Sequence, residues 1–264
     1  MERIAILSDV HGNITALNAV ISDIESKGIS KIYCLGDSVI KCSNPDKVID
    51  ILREKCEVML LGNCDEIICR PNIEKDRFWS RDKIGDERAS FIYNSPISVE
   101  FYLSGHLVRL FHASPISLEH IFNPMFPNSN TNYANSIIRE PEVLFSNTEF
   151  IGKTDKDPTP DIIGYGHLHT PNIYRFKNKT IFNTGSVGIP VEMSNDNEND
   201  PTSKFSTMAS YIILEGEFDS KELSSISFTL VRLPYDIEKE IGYLENSDMP
   251  NKEVIIKSLR NAIH

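Results

Sequence analysis

The chain has 264 residues, 40% of them hydrophobic, a length that buries one large core, so a single domain over 1–264 with a peripheral excursion is expected. Its net charge of -11, without any run of five like charges, excludes the clustered Lys and Arg that a duplex nucleic acid partner demands. No stretch of 18 apolar residues and no signal peptide appears, which predicts a cytoplasmic protein with no membrane partner, and five cysteines without a CxxC pair exclude a disulfide framework or a zinc ribbon.

Residues 3–8 (RIAILS) form a β-rich run, and residues 14–24 (ITALNAVISDI) repeat their apolar positions at helical spacing before Gly28 ends the pattern. Residues 31–35 (KIYCL) read as a second strand, 45–52 (PDKVIDIL) as a helix with Pro45 in its first turn, and 57–61 (EVMLL) as a third strand. Strands alternating with helices imply βαβ units and a parallel sheet, hence an α/β fold. Past residue 70 the alternation stops. Residues 75–94 read as a polar helix, and 97–103 with 106–112 as a hairpin around Ser104-Gly105. Residues 115–160, rich in Asn, Pro and Ser, read as an irregular insertion of the kind that forms binding loops, with a helix at 133–139. Strand pattern returns at 161–164, 173–176 and 180–183, the last two joined by an Asn-Lys turn, and 193–206 reads as a polar loop. Residues 209–214 and 226–233 follow as paired antiparallel strands, then helices at 237–244 and 252–262, elements that could provide the face of a homo-oligomer.

Each predicted parallel strand ends in a polar cluster, which is where open α/β sheets place their sites. Asp9-Val10-His11-Gly12-Asn13 follows the first strand, Gly36-Asp37 the second and Gly62-Asn63 the third; His112 and Gly166-His167-Leu168-His169 follow later ones. Five loops thus converge on one rim. Carboxylate, imidazole and amide donors suit Mn, Fe, Co, Ni or Zn better than Ca, which prefers more oxygens, or structural Zn, which prefers sulfurs. Seven candidate ligands, Asp9, His11, Asp37, Asn63, His112, His167 and His169, are too many for one ion. A carboxylate such as Asp37 can bridge two ions about 3.5–4 Å apart. Singly, a DxH, a GD turn or a histidine in FHAS is weak; the ordered set is specific.

DVHGN at 9–13, GD at 36–37, GNCD at 62–65, His112 and GHLH at 166–169 resemble the ordered signature blocks of the calcineurin-like metallophosphoesterases. The resemblance runs from about residue 3 to about residue 188, including NTGSVG at 183–188. DVHGNITAL, GDSVIKCSNPDKVIDIL and GNCD resemble more narrowly the small bacterial and archaeal phosphodiesterase-like branch, which includes relatives that hydrolyse diadenosine tetraphosphate. The resemblance implies a four-layer α/β/β/α sandwich, with metal-binding loops within 9–188, an insertion at about 115–160 and C-terminal strands and helices at about 209–264. It implies Asp9, His11, Asp37 and His169 around one divalent or trivalent transition-metal ion, and Asp37, Asn63, His112 and His167 around a second. The activity implied is attack on a small phosphodiester or nucleotide-type substrate by a metal-bridging hydroxide, with Asp37, Asn63 and His112 as the catalytic set. Phosphomonoester or phosphoprotein hydrolysis stays open, as does a metal-containing scaffold, since a retromer subunit resembles this fold and serves mainly as one.

Many members carry histidine after the GN, where this chain has Cys64. A thiol is a poor hydrogen-bond donor and presents no cation, so catalysis is expected to lean on the metals and on substrates with good leaving groups, such as phosphoanhydrides or activated diesters. Cys64 is open to three readings: a metal ligand, a redox-sensing thiol beside two cations, or a small neighbour of Asn63. Asp65 and Glu66 read as a helix N-terminal pair, with Asp65 alternatively orienting His11 or a substrate; Asn13 either approaches the phosphate or caps the helix at Ile14. Substrate contacts are accordingly expected from Asn13, Cys64 and Asp65. Phe78, Trp79, Phe122 and Phe126 form either an apolar wall over the site or plain core, and Lys41 and Arg70 meet either a phosphate or solvent.

Overall fold

Residues 4–7 are apolar without interruption and fully buried, whereas Glu2 and Arg3 before them are exposed. A strand buried on both faces belongs at the centre of a covered sheet. The computed structural model, which describes residues 1–70, 75–124, 137–192 and 204–263, places it there.

The chain begins with β1 (Glu2–Leu7), α1 (Ile14–Ser26), β2 (Lys31–Cys34), α2 (Pro45–Lys55) and β3 (Val58–Met59), and the three strands pair in parallel. α3 (Asn63–Ile67) and α4 (Lys75–Tyr93) follow; α4 breaks at Gly85, whose φ of 72° and ψ of 174° no helix accommodates. β4 (Ser98–Leu103) and β5 (His106–Phe111) form the expected hairpin, turning through Ser104 and Gly105 at φ 51° and 81°. Positive φ at both central residues gives a two-residue turn whose twist matches the strands.

In the insertion, β6 (Ile121–Phe122) pairs in parallel with β7 (Ile137–Ile138), and 3-10 turns follow at Pro141–Phe145 and Glu149–Ile151. The helix expected at 133–139 is therefore replaced at 137–138 by a strand, favoured by two β-branched isoleucines; 133–136 lie outside the described residues. β8 (Ile162–Tyr165), β9 (Asn172–Phe176) and β10 (Lys179–Asn183) come next. The β9–β10 turn is Lys177-Asn178, one residue earlier than expected, because pairing begins at Phe176 and Lys179. β11 (Val191–Glu192) pairs with β12 (Lys204–Phe205), while the rest of the expected polar loop, 193–203, lies outside the described residues. β13 (Met208–Gly216), β14 (Ser227–Pro234), α5 (Ile237–Glu245) and α6 (Lys252–Ile263) complete the order.

Two five-stranded sheets result, β14-β13-β1-β2-β3 and β4-β5-β8-β10-β9. Alternation along each strand stacks them. Ala5, Leu7, Ile32 and Cys34 face a helical layer through Leu17, Val20, Val48 and Leu52 of α1 and α2. Ile4, Ile6, Tyr33 and Leu35 face the second sheet through Leu103, Val108, Leu110 and Phe182. On that sheet's outer side, Phe111, Ile163 and Ile181 are covered by Phe122, Ile138, Leu144 and Phe145. The fold is thus the expected mixed α/β sandwich, its outermost cover supplied, among the described residues, by the insertion. Arg109 pins that cover: fully buried, it donates to Glu100 Oε1 (2.6 Å), Ser146 O (2.8 Å) and Asn147 Oδ1 (2.6 Å). Among the described residues no helix is long and apolar enough to cross a membrane.

α5 docks on the N-terminus of α1 through Glu240, which is fully buried and accepts from Thr15 N at 3.2 Å. Burial pushes its carboxyl up from 4.5 to about 7, against the pull of the Thr15 hydrogen bond. The folded state therefore holds this proton to a higher pH than the unfolded chain does. It binds more protons between those two values, and stability falls as pH rises through that window. Glu240→Gln should flatten the fall, read as the difference in urea midpoint between about pH 5 and about pH 8; an unchanged difference would assign the pH dependence elsewhere.

Candidate metal centre

Five of the seven candidate ligands, Asp9, His11, Asp37, His167 and His169, have left-handed backbones, with φ of 55°, 51°, 55°, 63° and 65°. Side chains other than glycine avoid this region at a cost on the order of 1–3 kcal/mol each, and such residues persist only where their surroundings over-determine them. The loops supply that constraint by bonding to one another. Asp9 N donates to Gly36 O (3.0 Å), His11 N to Asp37 O (2.9 Å), and Cys42 N to His11 O (2.8 Å), joining the first loop to the second. The NTGSVG segment closes the other flank: Ser186 Oγ donates to Asp9 O (2.7 Å), as does Gly188 N (3.0 Å). Contact is so close that a Cβ on Gly62 would lie 2.2 Å from Asp37 Oδ1, and one on Gly188 1.9 Å from Val10 O.

Three imidazoles are aimed the same way. Nδ1 of His11, His112 and His169 lies 3.0, 2.9 and 2.8 Å from the carbonyl oxygens of Val39, Leu35 and Ile189. A carbonyl only accepts, so each Nδ1 carries a proton, and each ring, when neutral, turns a bare Nε2 inward. Two of these, on His11 and His169, stand 3.1 Å apart, and Asn63 Oδ1 is 2.9 Å from Nε2 of His112. With the rings neutral, acceptor faces acceptor, which is repulsive in a buried site unless a proton or a cation serves both. Asp9 makes the same point: Oδ2 accepts from His167 N (2.9 Å), while buried Oδ1 has no hydrogen-bond donor and lies 3.2 Å from His169 Nε2.

Protonation agrees with ligation at His11 and His167, whereas at His112 burial is overcome by Asp37 and Asp9, which raise the pKa. Burial, reinforced by the charge of His169, drives the His11 pKa down to about 4 against the pull of Asp37 and Asp9; burial and His112 take His167 to about 4. Burial raises Asp9 and Asp37, but the surrounding imidazoles outweigh it and hold both carboxyls below the usual range. Neutral imidazole and ionised carboxylate are the forms that bind metal. Three groups could each hold an ion: Asp9, His11 and His169; Asp37, His112 and His167; and His11, Asp37 and Cys64. The donors thus fit metal ions of the borderline class.

Residues 2–199 match the calcineurin-like phosphoesterase superfamily domain. The chain belongs to that superfamily. An uncharacterized protein of Methanocaldococcus jannaschii is 28% identical over 256 residues, which cover 94% of this chain and 93% of the relative. Crystal structures of a metallophosphoesterase from Sphaerobacter thermophilus (21% identical, 98% and 99% of the two chains covered) and a hypothetical protein from Pyrococcus horikoshii (18%, 99% and 99%) superpose with TM-scores of 0.68. At those identities they establish the shared fold.

Within this member of the superfamily, the expected substrate contacts are placed differently from the ligands. Asn13 is fully buried; its Oδ1 accepts from Ala16 N (2.9 Å) and its Nδ2 donates to Gly188 O (2.9 Å), so it caps α1 and has no free end for a phosphate. Asp65 is likewise buried, accepting from Ser38 N (2.9 Å) and Gly62 N (3.3 Å), and so ties the Asp37 loop to the Asn63 loop rather than meeting His11 or a substrate. Cys64 donates its backbone N–H to Asp37 Oδ1 (2.8 Å), and burial, with Asp37 beside it, pushes its thiol well above the ordinary value.

Phe122 is core, and Trp79 donates to Asp248 Oδ1 (2.8 Å) in the chain after α5; neither forms the expected wall, and Phe126 lies outside the described residues. Arg70 is paired with Glu66 at 2.6 Å, and Lys41 is exposed. Sequence reasoning missed Ser186 and the carbonyls of Leu35, Val39 and Ile189. NTGSVG signalled the first; no residue type signals a carbonyl.

Mn2+ at about a hundredfold excess over its dissociation constant should stabilise the protein by about 2.7 kcal/mol per site, seen as a rise in Tm. Asp37→Ala should lose most of that rise; retention of the full wild-type shift would place the metal elsewhere.

Proposed function

We propose that this protein is a dinuclear phosphoesterase acting on a small phosphodiester or nucleotide-type substrate. Asp9, His11, Asp37 and His169 would hold one ion, and Asp37, Asn63, His112 and His167 the other. The position of Asp37 carries this reading: its Oδ2 lies 3.7 Å from His11 Nε2, and its Oδ1 3.5 Å from His112 Nε2. One carboxylate addressed to both groups is what a bridging ligand requires. Two bound ions supply Lewis acidity toward the phosphoryl oxygens and acidify water to serve as the nucleophile.

The chain's own residues fix the frame. Backbone carbonyls accept from Nδ1 of His11, His112 and His169, so no ring must turn before accepting its partner. Asp65 keeps Asp37 and Asn63 in register through Ser38 and Gly62. Cys64, following Asn63, offers a neutral thiol where an imidazolium could have protonated a departing oxygen. Leaving groups that are stable as anions, aryl oxides or phosphates, are therefore the favoured ones.

Mn-loaded protein should hydrolyse bis(p-nitrophenyl) phosphate, and Asp37→Asn and Asn63→Ala should each lower kcat by about a hundredfold or more with the circular dichroism spectrum unchanged. Protein loaded with Mn, Ni or Fe that never exceeded these variants on any mono- or diester would end the reading. Separately, Cys64→His should raise kcat for an alkyl ester by about tenfold or more while changing aryl ester turnover little; equal effects on both would remove the leaving-group argument.

A further inference from the structure

A groove of 510 Å³ is lined by Leu61, Glu66 and Arg70, which flank Asn63 in sequence, and by Ile116 and Glu119, which follow His112. Its walls grow out of the ligand loops. Leu61 precedes Asn63 by two residues, Glu66 follows it within α3, and Arg70 follows just past the end of α3. The opposite wall belongs to the loop that leaves β5 at His112.

Among the described residues, ten large apolar side chains are exposed, and three of them, Tyr93 (54%), Ile116 (45%) and Phe150 (37%), line this groove. Exposed apolar side chains gathered in one concavity mark a binding surface. The charges narrow the occupant. Arg70 is clasped by both oxygens of Glu66, Nε at 2.9 Å and a terminal nitrogen at 2.6 Å, and Glu119 acts on the same guanidinium. Two carboxylates against one cation leave the rim net negative, which repels a second phosphate and tolerates an uncharged ring.

Resting on the phosphoesterase reading, we infer that this groove receives an uncharged aromatic leaving group of the phosphodiester. Water supplies the new P–O bond, the P–O bond to the ring breaks with its electron pair on the aryl oxide, and both water protons pass to solvent.

Tyr93→Ser and Ile116→Ser alter exposed side chains and leave the ligands in place. Each should raise KM for bis(p-nitrophenyl) phosphate about tenfold, with kcat within about twofold, and leave kcat/KM for inorganic pyrophosphate unchanged. Glu119→Lys should increase kcat/KM for pyrophosphate, whose leaving group is anionic. Independently of turnover, saturation-transfer NMR with phenylphosphonate should show ring contact in the wild type that falls at least about fivefold in Tyr93→Ser. An unchanged KM for the diester, equal losses on both substrates, or equal phenylphosphonate contact in wild type and variant would each overturn the groove. Tyr93-dependent binding without hydrolysis of any ester would instead overturn the phosphoesterase reading alone.

Discussion

His11 and His169 point bare ring nitrogens at each other across 3.1 Å, and each is held there by a carbonyl on its far side. When both rings are neutral these acceptors repel, so the fold must supply the force that keeps them together until a proton or a cation serves both. That force comes from the carbonyls of Val39 and Ile189, from left-handed ligand residues that the loops lock by mutual hydrogen bonds, and beneath them from two stacked sheets. Arrangements of this kind trade stability for readiness, since the geometry exists before the ligand that relieves it.

The same economy of donors explains how legible the protein was. Strands and helices showed themselves because alternation and helical spacing dictate which side chains are buried, as in Ile4 and Ile6 against Ala5 and Leu7. The candidate ligands showed themselves because Asp, Asn and His carry the chemistry in their identity. Asn13 and Asp65 did not, because a buried amide or carboxylate looks the same in sequence whether it meets a substrate or a backbone N–H. The β7 strand was missed because its partner, Ile121–Phe122, lies outside any local window, and pairing overrode local pattern.

Cys64 joins these two strands of argument. Its backbone is indispensable, since its N–H fixes Asp37, while its side chain contributes a small neutral group next to Asn63. The position is thus structurally committed and chemically permissive.

Strand order carries a consequence for biosynthesis. β1 at the heart of the first sheet pairs on one side with β13, Ile4 opposite Leu214, and Ser210 of β13 donates to Thr184 O beside the loop that clamps Asp9. The earliest ligand to leave the ribosome therefore waits for strands made some two hundred residues later before its loop can close. Contacts so distant in sequence slow folding and make it cooperative. A nascent chain emerging with the first three ligand loops would carry donors without a centre, and metal capture becomes an event of the finished polypeptide.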